Sequence, residues 1–103
     1  MNVLMQVQLK GMTKEMYEAN QEAGFLTKLE SFDGFEGFHA GSPIEGGWQV
    51  VELWASEAAH KNWIETFVMP SMAAAGVKPG DIQMTTTYFP VHTAVVTKVA
   101  VAH

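Results

Sequence analysis

Hydrophobic and polar residues alternate with a period of two at the start of the chain, and this pattern predicts a β-strand over residues 2–9. One face of this strand carries only apolar side chains, namely Val3, Met5, Val7 and Leu9. A run of valine, leucine and tryptophan predicts a longer strand over residues 47–55. Threonine and aromatic residues predict another over residues 82–89. A short strand is expected over residues 37–40, followed by a turn formed by residues 42–47.

Two segments show the three-to-four-residue spacing of apolar positions that is typical of amphipathic helices. The first helix is predicted over residues 14–23, with a looser helical continuation to residue 29, and Thr13 is its expected N-cap. Ser56 is the expected cap of the second helix, whose apolar stripe includes Trp63 and Phe67. Pro70 lacks a backbone N–H, so it should kink or interrupt this second helix.

The predicted order of elements is β-α-β-β-α-β, which is the order of a ferredoxin-like α+β sheet. Right-handed crossovers place both helices on one face of the sheet. The opposite face, which we expect to include Met5, Val51, Leu53 or their alternates, is then too apolar for water, so a second copy of the chain should cover it as a homodimer. The apolar run over residues 93–101 is expected to pair as a further edge strand, in the same subunit or on the partner.

The size and composition of the chain narrow its function classes. Residues 1–103 are expected to form a single domain. The net charge of -5 argues against nucleic acid and anionic membranes as partners. The chain has six lysines but no arginine, no cysteine and no phosphate-binding glycine loop, so we expect no metal, flavin or nucleotide cofactor. No signal-peptide pattern is seen at the N-terminus, so a cytoplasmic protein is expected.

Two parts of the chain resemble the dimeric α+β barrel superfamily. The first runs from Phe38-His39 through Gly46-Gly47-Trp48 to Trp54-Ala55-Ser56 and is followed by an amphipathic helix. The second is Phe89-Pro90-Val91-His92. This superfamily includes the antibiotic-biosynthesis monooxygenases. The resemblance implies a pocket between sheet and helices, and a homodimer. Its cofactor-free monooxygenases place an asparagine four residues before a tryptophan. Trp54 matches that tryptophan, but Val50 stands at the asparagine position, so their mechanism does not carry over intact.

Three residues are the candidates for catalytic chemistry. Strand alternation places Glu52 on the same face as Trp48 and Trp54, where a bare carboxylate is costly unless it is paired or protonated. His39 and His92 are the candidate partners and proton carriers. The alternatives are that Glu52 lies at a sheet edge or pairs with a lysine, and that the histidines bond to backbone at strand ends.

Six aromatic residues are expected either to bind substrate or simply to form the core: Trp54, Trp48, Tyr88, Trp63, Phe67 and Tyr17. His60 is expected at the surface beside the apolar stripe of the second helix. These residues favour a cofactor-independent enzyme acting on a small apolar or aromatic molecule, by proton abstraction or monooxygenase-like oxidation. The alternatives are a non-catalytic binding module of the same fold and a structural homo-oligomer with a filled core.

Overall fold

A four-stranded antiparallel sheet with helices packed on one face forms the body of the protein. The computed structural model describes residues 2–78 and 80–95. The strands are β1 (Val3–Lys10), β2 (Phe35–Ile44), β3 (Gly47–Trp54) and β4 (Gln83–Pro90), in the spatial order β2-β3-β1-β4. The helices are α1 (Lys14–Glu22), α2 (Phe25–Glu30), α3 (Glu57–Trp63) and α4 (Met69–Ala74), with a π-helical segment (Ile64–Val68) between the last two. The ferredoxin-like α+β prediction is confirmed.

The hydrophobic core lies between the sheet and the helices, as the alternation in the two central strands predicts. Every second residue of β1, from Val3 to Leu9, is buried there. In β3 the same face carries Trp48, Val50, Glu52 and Trp54, all of which are buried. Burying one large apolar side chain contributes on the order of 1.5–3 kcal/mol, so this two-strand face stabilises the fold substantially.

The helix boundaries follow local chemistry. The side-chain oxygens of Thr13 and Ser56 accept hydrogen bonds from the backbone N–H groups of Met16 and Ala59, so both predicted caps are confirmed. Gly24, with a φ of 90°, separates α1 from α2 where a looser continuation was predicted.

The second helical region changes from α-helix to π-helix before Pro70. Pro70 occupies the first turn of α4, and the π-helical segment Ile64–Val68 comes immediately before it. Pro70 has no N–H to donate to the preceding turn, and the wider π-helical turn accommodates this missing α-helical hydrogen bond. The predicted interruption at Pro70 is therefore confirmed, as a π-bulge.

The second strand is longer than predicted. β2 continues through Ser42-Pro43 to Ile44, where a turn was expected, and the hairpin closes at residues 45–46. Proline is tolerated in β2 because this strand lies at the edge of the sheet, where one side of its backbone needs no partner.

The face of the sheet opposite the helices changes from apolar to polar along the strands. At one end Leu4 pairs with Leu53 on β3 and with Phe89 on β4. At the other end Gln8 pairs with Gln49 and Thr85. We call this surface the open face. Met5, expected on it, instead faces the helices and is 1% exposed.

The end of the chain is described only in part. Thr93 to Val95 do not form a strand, and Val95 is 83% exposed. The remainder of the edge strand predicted over residues 93–101 lies outside the described residues. Within residues 2–78 and 80–95, none of the helices has the length and apolarity that crossing a membrane requires.

Candidate functional site

A cavity of about 280 Å³ lies between the helical layer and the sheet. Its wall is mainly apolar, with Met5, Val50, Phe25 and Trp63 among its residues. The polar and titratable side chains in the wall are Tyr17, Asn20, Glu52, His60 and Ser71. A pocket with a few polar groups in an apolar wall is the usual form of a small-molecule site.

Glu52 is a buried carboxylate whose two oxygens both accept hydrogen bonds. Nδ1 of His39 lies 2.6 Å from Oε2, and the indole N–H of Trp54 donates to Oε1 at 2.9 Å. The residue is 2% exposed. His39 reaches it because β2 pairs with β3 in a register that sets His39 directly opposite Glu52. The predicted partnership of Glu52 and His39 is therefore present. Glu52 lies on an inner strand, and within residues 2–78 and 80–95 it is not paired with a lysine.

Tyr17 extends this pair into a group of three, which we call the Tyr17–His39–Glu52 triad. The Tyr17 hydroxyl lies 2.6 Å from Nε2 of His39. Its ring stacks on Trp48, with 4.8 Å between ring centroids. Gly41 makes this position possible, because a Cβ atom at Gly41 would lie 2.3 Å from the Tyr17 hydroxyl oxygen.

One assignment of the His39 tautomer satisfies both hydrogen bonds of the triad. With Glu52 ionised, His39 donates from Nδ1, and its neutral Nε2 accepts from the Tyr17 hydroxyl. Burial raises the pKa of Tyr17 above its usual 10.0, and the nearby Glu52 charge raises it further. Tyr17 is therefore a phenol at neutral pH. A hydroxyl bonded to a histidine that a carboxylate orients is the general arrangement of a hydroxyl group activated by a base.

His60 forms a second polar point in the cavity wall. It is 1% exposed, and its Nδ1 lies 2.8 Å from the Tyr88 hydroxyl. Its other ring nitrogen, Nε2, is buried and has no hydrogen-bond partner among residues 2–78 and 80–95. Burial lowers the pKa of His60 below 6.5, so the ring is neutral at pH 7.

The prediction that His60 lies at the surface is wrong. His60 is three residues before Trp63 and four before Ile64, so helical spacing places it on the face that lines the cavity. That spacing was the available signal. The polar imidazole ring favoured a surface position instead. The Tyr88 hydroxyl that accommodates the buried ring lies on a distant strand, so local sequence does not reveal it.

The predicted substrate-binding aromatics divide into two groups. Tyr17, Trp63 and Phe67 line the cavity. The other three lie behind the lining and hold residues that reach it: Trp48 stacks on Tyr17, Trp54 donates to Glu52, and Tyr88 contacts His60.

His92 is not brought to the site in this subunit. It lies beyond the end of β4, is exposed, and its Nδ1 contacts the Thr93 hydroxyl. Tyr88, four residues earlier, is the β4 residue in register with Met5 and Glu52. Among the described residues no group of three or more acidic or histidine side chains is arranged to hold a metal ion.

Comparison with solved structures shows the fold. The chain is similar to SnoaB, a cofactor-independent oxygenase from Streptomyces nogalater, solved as an asparagine-to-alanine mutant: the TM-score is 0.60 and the identity 10%, over 91% of this chain and 96% of that chain. It is also similar to an arginine-to-serine mutant of MhuD with two manganese protoporphyrin IX molecules bound per active site, with a TM-score of 0.61 and 19% identity, over 92% and 99% of the two chains. No protein-family model matches the chain, and no curated protein matches it in sequence. These similarities show the ferredoxin-like α+β fold, which the resemblance implied.

Proposed function

We propose that this protein is an enzyme that removes a proton from a small apolar or aromatic molecule without a resident cofactor. The observation that carries the proposal is the Tyr17–His39–Glu52 triad, which begins in the wall of an apolar cavity and ends at a buried carboxylate. A buried carboxylate and imidazole held in this way are costly to retain, and such groups concentrate at functional sites.

The triad suggests a specific proton path. A substrate proton passes to the Tyr17 oxygen while Tyr17 passes its own proton to Nε2 of His39. The imidazolium that results is stabilised by Glu52, whose charge lies 2.6 Å from Nδ1. The substrate keeps the electron pair as a resonance-stabilised anion. Monooxygenase-like oxidation would begin from such an anion, and the cofactor-independent oxygenase SnoaB has the same fold.

The cavity supports a small and uncharged substrate. Its volume of about 280 Å³ lies just below the usual range for ligand pockets, about 300–1,000 Å³. The chain contains no arginine that could pair a carboxylate or phosphate group. A molecule of one or two rings fits both observations.

A non-catalytic binding module is the alternative, and one observation favours it. Both Glu52 oxygens already accept hydrogen bonds from the protein, from His39 and from Trp54. A carboxylate satisfied in this way can serve to hold the wall of the cavity in place, with no proton transfer.

The test compares the wild type with Glu52→Gln, using 2-tetralone in heavy water and following deuterium incorporation at its acidic carbon by NMR. Oxygen uptake with a dihydroxynaphthalene tests the oxidative route in parallel. We expect Glu52→Gln to lower the rate by about 10²–10⁴-fold, the usual contribution of general acid–base catalysis, while binding changes only a few-fold. Glu57→Gln, which removes an exposed carboxylate from α3, is the matched control and should keep the wild-type rate.

Equal rates in the wild type and Glu52→Gln would contradict the catalytic role of Glu52. If both proteins bind 2-tetralone and neither converts either probe, the binding module becomes the better description.

We further propose that two copies of the chain pair through the open face. Phe89 lies beside Leu4 on that face and is 45% exposed. Large apolar side chains exposed together on one surface are typical of a contact site.

A further inference from the structure

We propose that Nε2 of His60 is the polar anchor of the cavity, and that the ligand it receives is a neutral aromatic molecule carrying an oxygen atom. This inference rests on the proposed function, because it takes the cavity to be the substrate site. It adds the chemical class of the substrate and a binding residue that the triad does not include.

The unpartnered nitrogen is the first observation. His60 is 1% exposed, and its Nε2 is buried without a hydrogen-bond partner within residues 2–78 and 80–95. Buried polar atoms nearly always have partners in folded proteins, so each exception needs an explanation. Here the residue lines the cavity, and an atom of a bound molecule would supply the missing partner.

The orientation of the ring is the second observation. The Tyr88 hydroxyl contacts Nδ1 at 2.8 Å, and the indole of Trp54 packs edge-on against the imidazole with 5.5 Å between centroids. These contacts hold the ring in place and leave one nitrogen for a ligand. A neutral imidazole presents either an N–H or a lone pair at that nitrogen, and a hydroxyl oxygen pairs with either form.

The anchor lies close to the triad, because Trp54, which packs against the His60 ring, also donates to Oε1 of Glu52. Glu52, Met5 and Tyr88 are neighbours in one row across β3, β1 and β4. The backbones of Glu52 and Tyr88 are therefore two strand spacings apart, roughly 10 Å. Met5, Glu52 and His60 all line the cavity, so a ligand lying over Met5 would be within reach of both polar groups.

The experiment measures the affinities of the wild type, His60→Phe and Asn20→Leu for 2-naphthol and for naphthalene by NMR titration. The two probes share ring shape and differ by one hydroxyl. We expect the wild type to favour 2-naphthol by about 3–10-fold, the effect of one hydrogen bond. His60→Phe should lose this preference. Asn20→Leu, which removes a different polar side chain from the same cavity wall, should keep it.

A measurement on the unaltered protein avoids any effect of substitution on folding. In protein labelled with ¹⁵N-histidine, the Nε2 resonance of His60 should shift on binding 2-naphthol and stay in place with naphthalene. Equal affinity of the wild type for both probes, or a preference that survives His60→Phe, would overturn the anchor and leave the triad proposal standing. Failure of both probes to bind would contradict the proposed function itself.

Discussion

His60 must be neutral in order to occupy its buried position, and this gives the protein a pH-dependent stability. Burial lowers the pKa of His60 below 6.5, so below that pH the unfolded chain binds a proton that the folded chain does not. The free energy of unfolding should therefore decrease as the pH falls below 6.5. The slope from this one group is at most about 1.4 kcal/mol per pH unit.

Urea unfolding at pH 7.5 and pH 5.5 measures this decrease. In His60→Gln the contribution of this residue disappears, so the stability difference between the two pH values should shrink. His92→Gln removes an exposed histidine and should keep the wild-type difference. If His60→Gln and the wild type lose equal stability on acidification, His60 is not the group responsible.

At the scale of single residues, the sequence predicted the parts of the site that strand alternation controls. Glu52 faces the core because Trp48, Val50 and Trp54 share its parity, and His39 was correctly expected beside it. The link from His39 to Tyr17 was not predicted, since it depends on how α1 crosses the sheet. His60 was misplaced because its accommodating hydroxyl, on Tyr88, is 28 residues away.

At the scale of elements, β2 allows Tyr17 to reach His39 because Gly41 on this strand has no side chain. A Cβ atom at Gly41 would lie 2.3 Å from the Tyr17 hydroxyl oxygen and 3.0 Å from Nε1 of Trp48. We expect Gly41→Ala to displace the Tyr17 ring and break its bond to His39. The stability cost should be modest, about 1–2 kcal/mol, because the displaced atoms are at the end of a partly exposed side chain.

The rate of deuterium incorporation into 2-tetralone should fall in Gly41→Ala by about the same factor as in Tyr17→Phe. Ser42→Ala, on the next residue of the same strand, provides the control for a general effect on β2. Wild-type activity in Gly41→Ala would show that the Tyr17 position is not required.

Element boundaries were predictable where one local rule acted and failed where two competed. The caps Thr13 and Ser56 follow from local hydrogen bonding alone. In β2, Pro43 favoured a turn, but pairing with Trp48 in β3 continues the strand past it. The spatial position of β2 at the sheet edge decides that competition, and edge position is a property of the whole topology.

For the whole molecule, we predict a dimer with a mass twice the 11.3 kDa of one chain. A charge introduced at the apolar end of the open face should separate the two copies, because it would be buried without a partner. Phe89→Lys should therefore sediment as a monomer at micromolar concentration. Thr85→Lys, on the same strand and face but at the polar end, should remain dimeric.

Two results would contradict this arrangement. A wild-type protein that sediments as one chain would exclude the dimer at that concentration. Equal effects of Phe89→Lys and Thr85→Lys would show that the contact is not centred on the apolar end.

The topology itself was predictable from element order, because right-handed crossovers leave few ways to connect two β-α-β units. The cavity was expected only through family resemblance. Its volume depends on how far α3 and the π-helical segment stand from the sheet, which the periodicity of the sequence does not encode.

The methionines of the cavity wall can report whether an oxidising species forms inside the protein. Met5 and Met12 line the cavity and are 1% and 6% exposed, whereas Met69 is 53% exposed. Peroxide added from outside should convert Met69 to its sulfoxide first. An oxidising species formed inside the cavity would reverse this order and mark Met5 before Met69. Peptide mass spectrometry after exposure to a candidate substrate would then reveal where oxidation occurred, even when the product is unknown.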